Sequence, residues 1–172
     1  HWLCASSDIK IKVLSKVFNP LILFNIILII SFSFSINSIT EIEYLNFLFY
    51  IFFHLTFIYF LFYRYHYTIY ILALIYGILF DILLLNSIGA HLICFISLVS
   101  IYIITKKYLF LLSPNQISFL ILTALIMILY SELLLAYLIN NIYFTFGKML
   151  KYTIISAIIF IPSILMLNKL DR

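Results

Sequence analysis

The chain has 172 residues, of which 66% are hydrophobic and 9% are charged, and its mean hydropathy is +1.24. Soluble domains carry roughly 25% charged residues, so a soluble fold of this length could not hide so much apolar surface. The composition therefore predicts a protein that crosses a membrane several times. The net charge of +4 comes from basic residues between apolar runs rather than from a basic patch with interleaved aromatics, which argues against a nucleic-acid partner.

Residues 1–17 precede the first apolar run and are expected to form a cytoplasmic tail. Their first ten residues, HWLCASSDIK, do not resemble a signal peptide, because no basic region precedes a short apolar core.

Residues 18–172 are expected to form one all-α domain, a compact bundle of six transmembrane helices with short connections. A span needs roughly 20 apolar residues to cross about 30 Å of hydrocarbon. Asn19-Pro20 and Ser113-Pro114 each place a capping residue before a proline, which is typical of a helix start. The predicted spans cover residues 20–36, 45–63, 67–85, 90–105, 116–139 and 150–167.

The basic residues predict the orientation of the six spans. Eight of them fall on one side, and Glu41 and Glu43 fall on the other, so the positive-inside rule places both termini in the cytoplasm. Lys148 and Lys151 are exceptions, since they open the sixth span from the outer side. The eight are Lys10, Lys12, Lys16, Arg64, Lys106, Lys107, Lys169 and Arg172.

Asp81 is a carboxylate inside an apolar run, where an ionisable residue costs about 2.5–3.5 kcal/mol on insertion scales. Ala73, Gly77 and Asp81 are spaced by four, so they share one stripe of the third helix. Ala73 and Gly77 form a small-xxx-small pair, which allows a neighbouring helix to approach closely. Asp81 should therefore face protein, either as a cap or hydrogen-bond partner of a neighbouring helix or as a partner-binding or ligand-binding group.

Several ionisable residues share the outer depth range with Asp81. His91 opens the fourth span, Glu132 lies in the outer third of the fifth, and Lys148 and Lys151 begin the sixth. We expect Asp81 or Glu132 to pair with Lys151 or His91, which would reduce the cost of burying both charges. The alternative is that the two lysines reach interfacial water.

The remaining polar residues indicate no catalytic or metal-binding site. His54 lies in mid-span among phenylalanines and is expected to be a hydrogen-bonded packing residue. Cys4 and Cys94 have no metal-ligand spacing. Known catalytic patterns are absent, so we expect no enzyme activity, no metal and no cofactor.

One segment carries a family resemblance. The letters GILFD run from Gly77 to Asp81, and NSIGAH runs from Asn86 to His91. This pattern resembles the MreD family of bacterial rod-shape-determining membrane proteins. That family shows a glycine, an aspartate four residues later, a small polar turn and a helix ending in tyrosine and basic residues. Six short-looped spans and Pro162 in the last span also match, whereas the second span lacks the proline often found before it.

The resemblance implies a non-enzymatic scaffold of the cell-elongation complex, which makes peptidoglycan, in the bacterial cytoplasmic (inner) membrane. Implied partners are an MreC-like single-span periplasmic protein, an MreB-like filament, a RodA-like glycosyltransferase and a penicillin-binding transpeptidase, the last three through direct or indirect contact. Within the chain, the residues expected to bind partners or anchor helices are Gly77, Asp81, Gly89, His91, Glu132 and Lys151.

Two other functions stay open on the sequence alone. The family is similar in helix arrangement to substrate-binding subunits of energy-coupling-factor transporters, which suggests a small-molecule subunit with an outward pocket near Asp81, His91 and Glu132. The other is a membrane-embedded enzyme acting on lipid.

Overall fold

The structure, a computed structural model, describes residues 20–36, 43–64, 66–85, 89–109, 111–141 and 146–171. In these ranges the chain is helical and contains no strand, which confirms the all-α class and the six predicted helices. The predicted tail over residues 1–17 lies outside the described residues, as do residues 86–88 and the side chain of Lys148. The helices are α1 (Pro20–Ile36), α2 (Glu43–Tyr63), α3 (Thr68–Phe80), α4 (Ala90–Leu109), α5 (Pro114–Asn140) and α6 (Phe146–Leu170).

Length and composition make four of these helices long and apolar enough to cross a membrane. Their apolar stretches are Leu45–Tyr63, Ala90–Leu109, Pro114–Ile139 and Met149–Leu170. The other two, in α1 and α3, are shorter apolar helices. A π-helical turn, Asp81–Leu85, extends α3 directly.

Two features of the sequence decide where α5 begins and ends. Pro114 occupies the first turn, and the side-chain Oε1 of Gln116 accepts hydrogen bonds from the Ser113 N–H at 2.8 Å and from its hydroxyl at 3.0 Å. At the other end, Asn141 adopts the left-handed backbone conformation, with a φ of 54°, and caps the helix. Its N–H donates to the carbonyl of Tyr137. The serine-proline signal thus lies where the sequence predicts a helix start.

The fourth helix extends further than the sequence suggested. α4 ends at Leu109, whereas the predicted span ends at residue 105. The helix continues through Lys106 and Lys107. Their positive charges lie in its last turn, where they interact favourably with the negative end of the helix dipole. Lysines at a helix end keep their charge near water while their stems stay apolar, so they do not end the helix.

The chain divides into two compact units. The smaller consists of His1–Phe53 with Pro162–Arg172. In it, Phe32 of α1 and Phe53 of α2 are both buried, and their rings meet edge to face at 5.4 Å.

The larger unit, His54–Ile161, contains all of α3, α4 and α5 with parts of α2 and α6. Its core is aromatic. Phe95 of α4 packs within 6.0 Å of the rings of Phe57, Tyr76 and Phe80, and these four side chains are completely buried. Such a core fixes the rotation of α3 against α4, and its rings also contact two buried histidines, His54 and His91.

Candidate functional site

Asp81 caps the start of the next helix. Its Oδ2 accepts hydrogen bonds from the backbone N–H of Gly89 at 2.7 Å and of Leu92 at 3.3 Å, and its Oδ1 accepts one from the N–H of His91 at 2.9 Å. The first N–H groups of a helix have no partner within the helix and carry partial positive charge. One carboxylate from the end of α3 therefore satisfies three N–H groups at the start of α4.

The π-helical turn lies at this cap. The Asp81 N–H donates to the carbonyls of Gly77 and Ile78, and the π turn begins at Asp81 itself. A π turn widens the helix locally and is frequent at functional sites. Here the widened turn begins at the residue whose carboxylate contacts α4.

Gly89 supplies the backbone conformation that the cap requires. Its φ is +154°, which residues with a side chain rarely adopt. Its carbonyl accepts the N–H of Ile93 at 3.0 Å, so the hydrogen bonding of α4 begins here. The glycine that the sequence places in the turn thus aims its N–H at Asp81.

His91 is held by the same carboxylate. Its Nδ1 lies 2.9 Å from Oδ1 of Asp81, and both side chains are buried, with 5% and 0% of their surface exposed. Asp81 and His91 are one of the pairs that the sequence predicts. The carboxylate thus bonds to the backbone and to the side chain of one residue.

Gly77 brings the two helices into contact. A Cβ added to it would lie 2.5 Å from Cα of Leu92 and 3.0 Å from the Leu92 nitrogen. Only a hydrogen fits at such a distance, so the backbones of α3 and α4 touch at this point. Ala73, one turn earlier, is completely buried. The small-residue stripe therefore faces protein, with Asp81 at its end.

Glu132 has a buried partner that the sequence reasoning did not assign to it. Its Oε1 lies 2.8 Å from Nε2 of His54, and their side chains are 2% and 0% exposed. Lys151, one of the expected partners, is exposed on α6. The contact joins α2 to α5 and gives His54 a specific role. A signal was present, because both residues are ionisable and interrupt apolar helices, but nothing in the sequence shows that their helices face each other.

Aromatic rings lie against both histidine–carboxylate pairs. Phe80 contacts each of them, with its ring centroid 5.4 Å from that of His54 and 5.7 Å from that of His91. Phe95 also stacks on His54, at 5.1 Å. Both pairs thus share one aromatic environment in which water is excluded. The ring of Phe80 carries no hydrogen-bonding group, so it does not join the pairs into one hydrogen-bonded path.

A weaker polar contact joins α4 to α5. The Sγ of Cys94 is 3.3 Å from Oγ of Ser131, whose hydroxyl also donates to the carbonyl of Ile128 at 2.8 Å. Cys94 is 4% exposed. It is a small buried residue at the contact between these two helices.

This arrangement stabilises contacts between helices and leaves these polar side chains little surface that a ligand could reach. Asp81, His91 and Glu132 were expected to line an outward pocket if the protein binds a small molecule. All three residues are buried, and each bonds to another residue of the chain. Among the described residues no group of three histidines, cysteines or carboxylates is placed to hold a metal ion.

Comparisons of the chain with protein-family models, with curated proteins and with solved structures find no match.

Proposed function

We propose that this protein is a non-enzymatic scaffold in a bacterial inner membrane, similar to the MreD family, that holds partners of the cell-elongation complex together. The observation that carries the proposal is the contact unit formed by Gly77, Asp81, Gly89 and His91. These are the residues on which the resemblance rests, and they form one joint between α3 and α4. A pattern whose members act together supports the resemblance better than scattered matches would.

The buried position of this joint favours a structural role over a catalytic one. A catalytic acid or base must reach a substrate, directly or through one water. Asp81 is completely buried, and both of its oxygens accept hydrogen bonds from backbone groups at the start of α4. The same carboxylate serves well as an anchor that fixes the position of one helix on another.

The short connections between the helices support a partner that lies within the membrane. If the π turn is counted with α3, four to six residues separate successive helices, so the connections offer little surface for docking. In the part of the chain that the structure describes, a partner must then be met largely by helix faces. A single-span MreC-like protein suits this requirement, while an MreB-like filament, a RodA-like glycosyltransferase and a penicillin-binding transpeptidase belong to the same proposed complex.

Co-purification tests the proposal. The tagged chain is expressed with an MreC-like protein in a bacterial membrane, and a single-span protein of similar length and unrelated sequence serves as the control. We expect capture of the MreC-like protein well above the control. Equal capture of both proteins would contradict the scaffold function, and capture of a transporter ATPase and its coupling subunit instead would replace it.

The Asp81→Asn variant separates an anchor from a docking residue. Because Asp81 is buried, we expect the variant to keep the partner as long as the fold is kept. Loss of the partner from a variant whose Cys94 stays protected from a thiol reagent would show that Asp81 contacts the partner directly.

A further inference from the structure

Three basic residues follow the neighbouring ends of two helices in the larger unit. Arg64 follows the last residue of α2, and Lys106 and Lys107 lie in the last turn of α4. The rings of Phe62 and Tyr102 meet edge to face at 5.2 Å, so the ends of α2 and α4 are neighbours. Arg64 comes two residues after Phe62, just past the end of α2, and Lys106 comes one helical turn after Tyr102 in α4. We call Arg64, Lys106 and Lys107 the basic end.

The carboxylates of the larger unit are distant from the basic end. Its acidic residues are Asp81 and Glu132. Asp81 is 13 residues past the start of α3 at Thr68, or ~20 Å along the helix, and Glu132 is ~27 Å along α5 from Pro114. Within this unit, three of the five basic residues thus lie at the basic end, away from both carboxylates, and the other two, Lys148 and Lys151, lie in the first two turns of α6.

Exposed tyrosines surround the basic residues. Tyr63, Tyr67 and Tyr108 are all exposed, and Nζ of Lys107 lies 4.8 Å from the centre of the Tyr108 ring. Tyrosine is enriched where a membrane protein meets the headgroup layer, because its ring is apolar and its hydroxyl is wet. The tyrosines thus place the basic end at the depth of lipid headgroups.

We propose that the basic end binds anionic phospholipids through their headgroup phosphates. Lysine and arginine side chains near a helix end reach outward to the headgroups, where opposite charge attracts them. The lysines present point charges, and Arg64 can donate two parallel hydrogen bonds to one phosphate. Lipid binding at this end does not require the scaffold function, because it depends on these side chains alone.

Native mass spectrometry of the purified full chain tests lipid binding. The probes are phosphatidylglycerol, which is anionic, and phosphatidylcholine with the same acyl chains, which has no net charge. We expect the chain to retain phosphatidylglycerol preferentially and to lose it as salt increases. Removing each basic charge, as in Lys107→Gln or the double variant Lys106→Gln with Lys107→Gln, should weaken binding roughly fivefold per charge.

Two matched variants make the result specific. Lys151→Gln removes one exposed lysine from α6, two residues before Thr153, whose hydroxyl contacts that of Tyr130 in the second half of α5, and it should leave phosphatidylglycerol binding unchanged. Replacing both Lys106 and Lys107 by arginine keeps the charge and should retain binding. Protection of Cys94 from a thiol reagent reports whether each variant is folded.

Three outcomes would overturn the proposal. One is equal retention of the two lipids by the unmodified chain. Another is an effect of Lys151→Gln as large as that of Lys107→Gln, since net charge rather than the basic end would then govern binding. The third is full displacement of the lipid by inorganic phosphate at low concentration, which would indicate a site for a soluble anion.

Discussion

The Nε2 atom of His54 lies 2.8 Å from Oε1 of Glu132, although 78 residues separate the two in the chain. The contact joins α2 to α5 in surroundings where each polar group alone would be costly. The ring of His54 also stacks against Phe80 and Phe95. The histidine is therefore fixed by one polar contact at its edge and by two aromatic contacts.

His54 and Glu132 stabilise the protein as a pair. The losses of stability in the two single variants should therefore add up to more than the loss in the double variant. Glu132→Leu leaves the His54 ring without its buried partner, and His54→Leu leaves the carboxylate. In a double-mutant cycle read by thermal unfolding in detergent, we expect a coupling of about 0.6–1.7 kcal/mol, the range that such cycles give for polar contacts between membrane helices.

Glu132→Gln is the control for this cycle. Its side-chain amide keeps a hydrogen bond to His54 without the charge, so it should be milder than Glu132→Leu. Additive effects of the two leucine substitutions would show that the pair contributes no coupling energy.

The two histidine–carboxylate pairs show what the sequence can and cannot predict. Helical spacing placed Asp81 on the packed stripe with Gly77, and the following turn and helix brought His91 within reach, since all three lie close together in the chain. The His54–Glu132 contact depends on which faces α2 and α5 present to each other. Their apolar residues surround each helix so completely that spacing gives no preferred face. Local geometry was therefore predictable, and the distant pairing was not.

Replacing Asp81 should lower the free energy of unfolding in proportion to the number of hydrogen bonds lost. Asp81→Leu leaves three N–H groups at the start of α4 without their acceptor, and each unsatisfied buried group costs about 1–3 kcal/mol. Asp81→Asn keeps one acceptor oxygen but turns its NH2 towards at least one of these N–H groups, so we expect a smaller loss, about 1–3 kcal/mol. Thermal unfolding and the yield of monodisperse protein measure the difference. Equal losses in the two variants would show that the negative charge, rather than the hydrogen bonding, holds α4.

Gly77→Ala should disrupt the contact between α3 and α4. The new Cβ would lie 2.5 Å from the backbone of Leu92, which cannot move aside as a flexible side chain could. Overpacking of this kind typically costs about 1–3 kcal/mol in thermal unfolding, which is the loss we expect. Gly147→Ala is the matched control, because no atom of the described residues lies within 4 Å of its Cβ position in α6. It should leave stability unchanged or raise it by about 0.5–1 kcal/mol, since alanine favours a helix.

Gly89→Ala should destabilise the cap by a different route. The nearest atom to its added Cβ, Cδ1 of Ile139, lies at an ordinary 3.7 Å, so the cost comes from the φ of +154° alone. A residue held in a sparsely populated region costs about 1–3 kcal/mol, again measured by thermal unfolding. Ile139→Ala, which makes more room, should therefore not rescue the variant. Rescue by Ile139→Ala would locate the cost in a steric clash instead.

Cys94 offers a direct measure of how firmly α4 is held. It is 4% exposed and contacts Ser131 of α5, so a water-soluble maleimide should modify it slowly in the folded protein. The experiment uses a Cys4→Ser background, in which Cys94 is the remaining thiol. Asp81→Leu removes the cap at the start of α4, about one turn before Cys94, and should raise the labelling rate through local opening. Gly147→Ala, far along the chain in α6, should leave the rate unchanged. Equal rates in the Asp81→Leu variant and the unmodified chain would show that α4 stays closed without its cap.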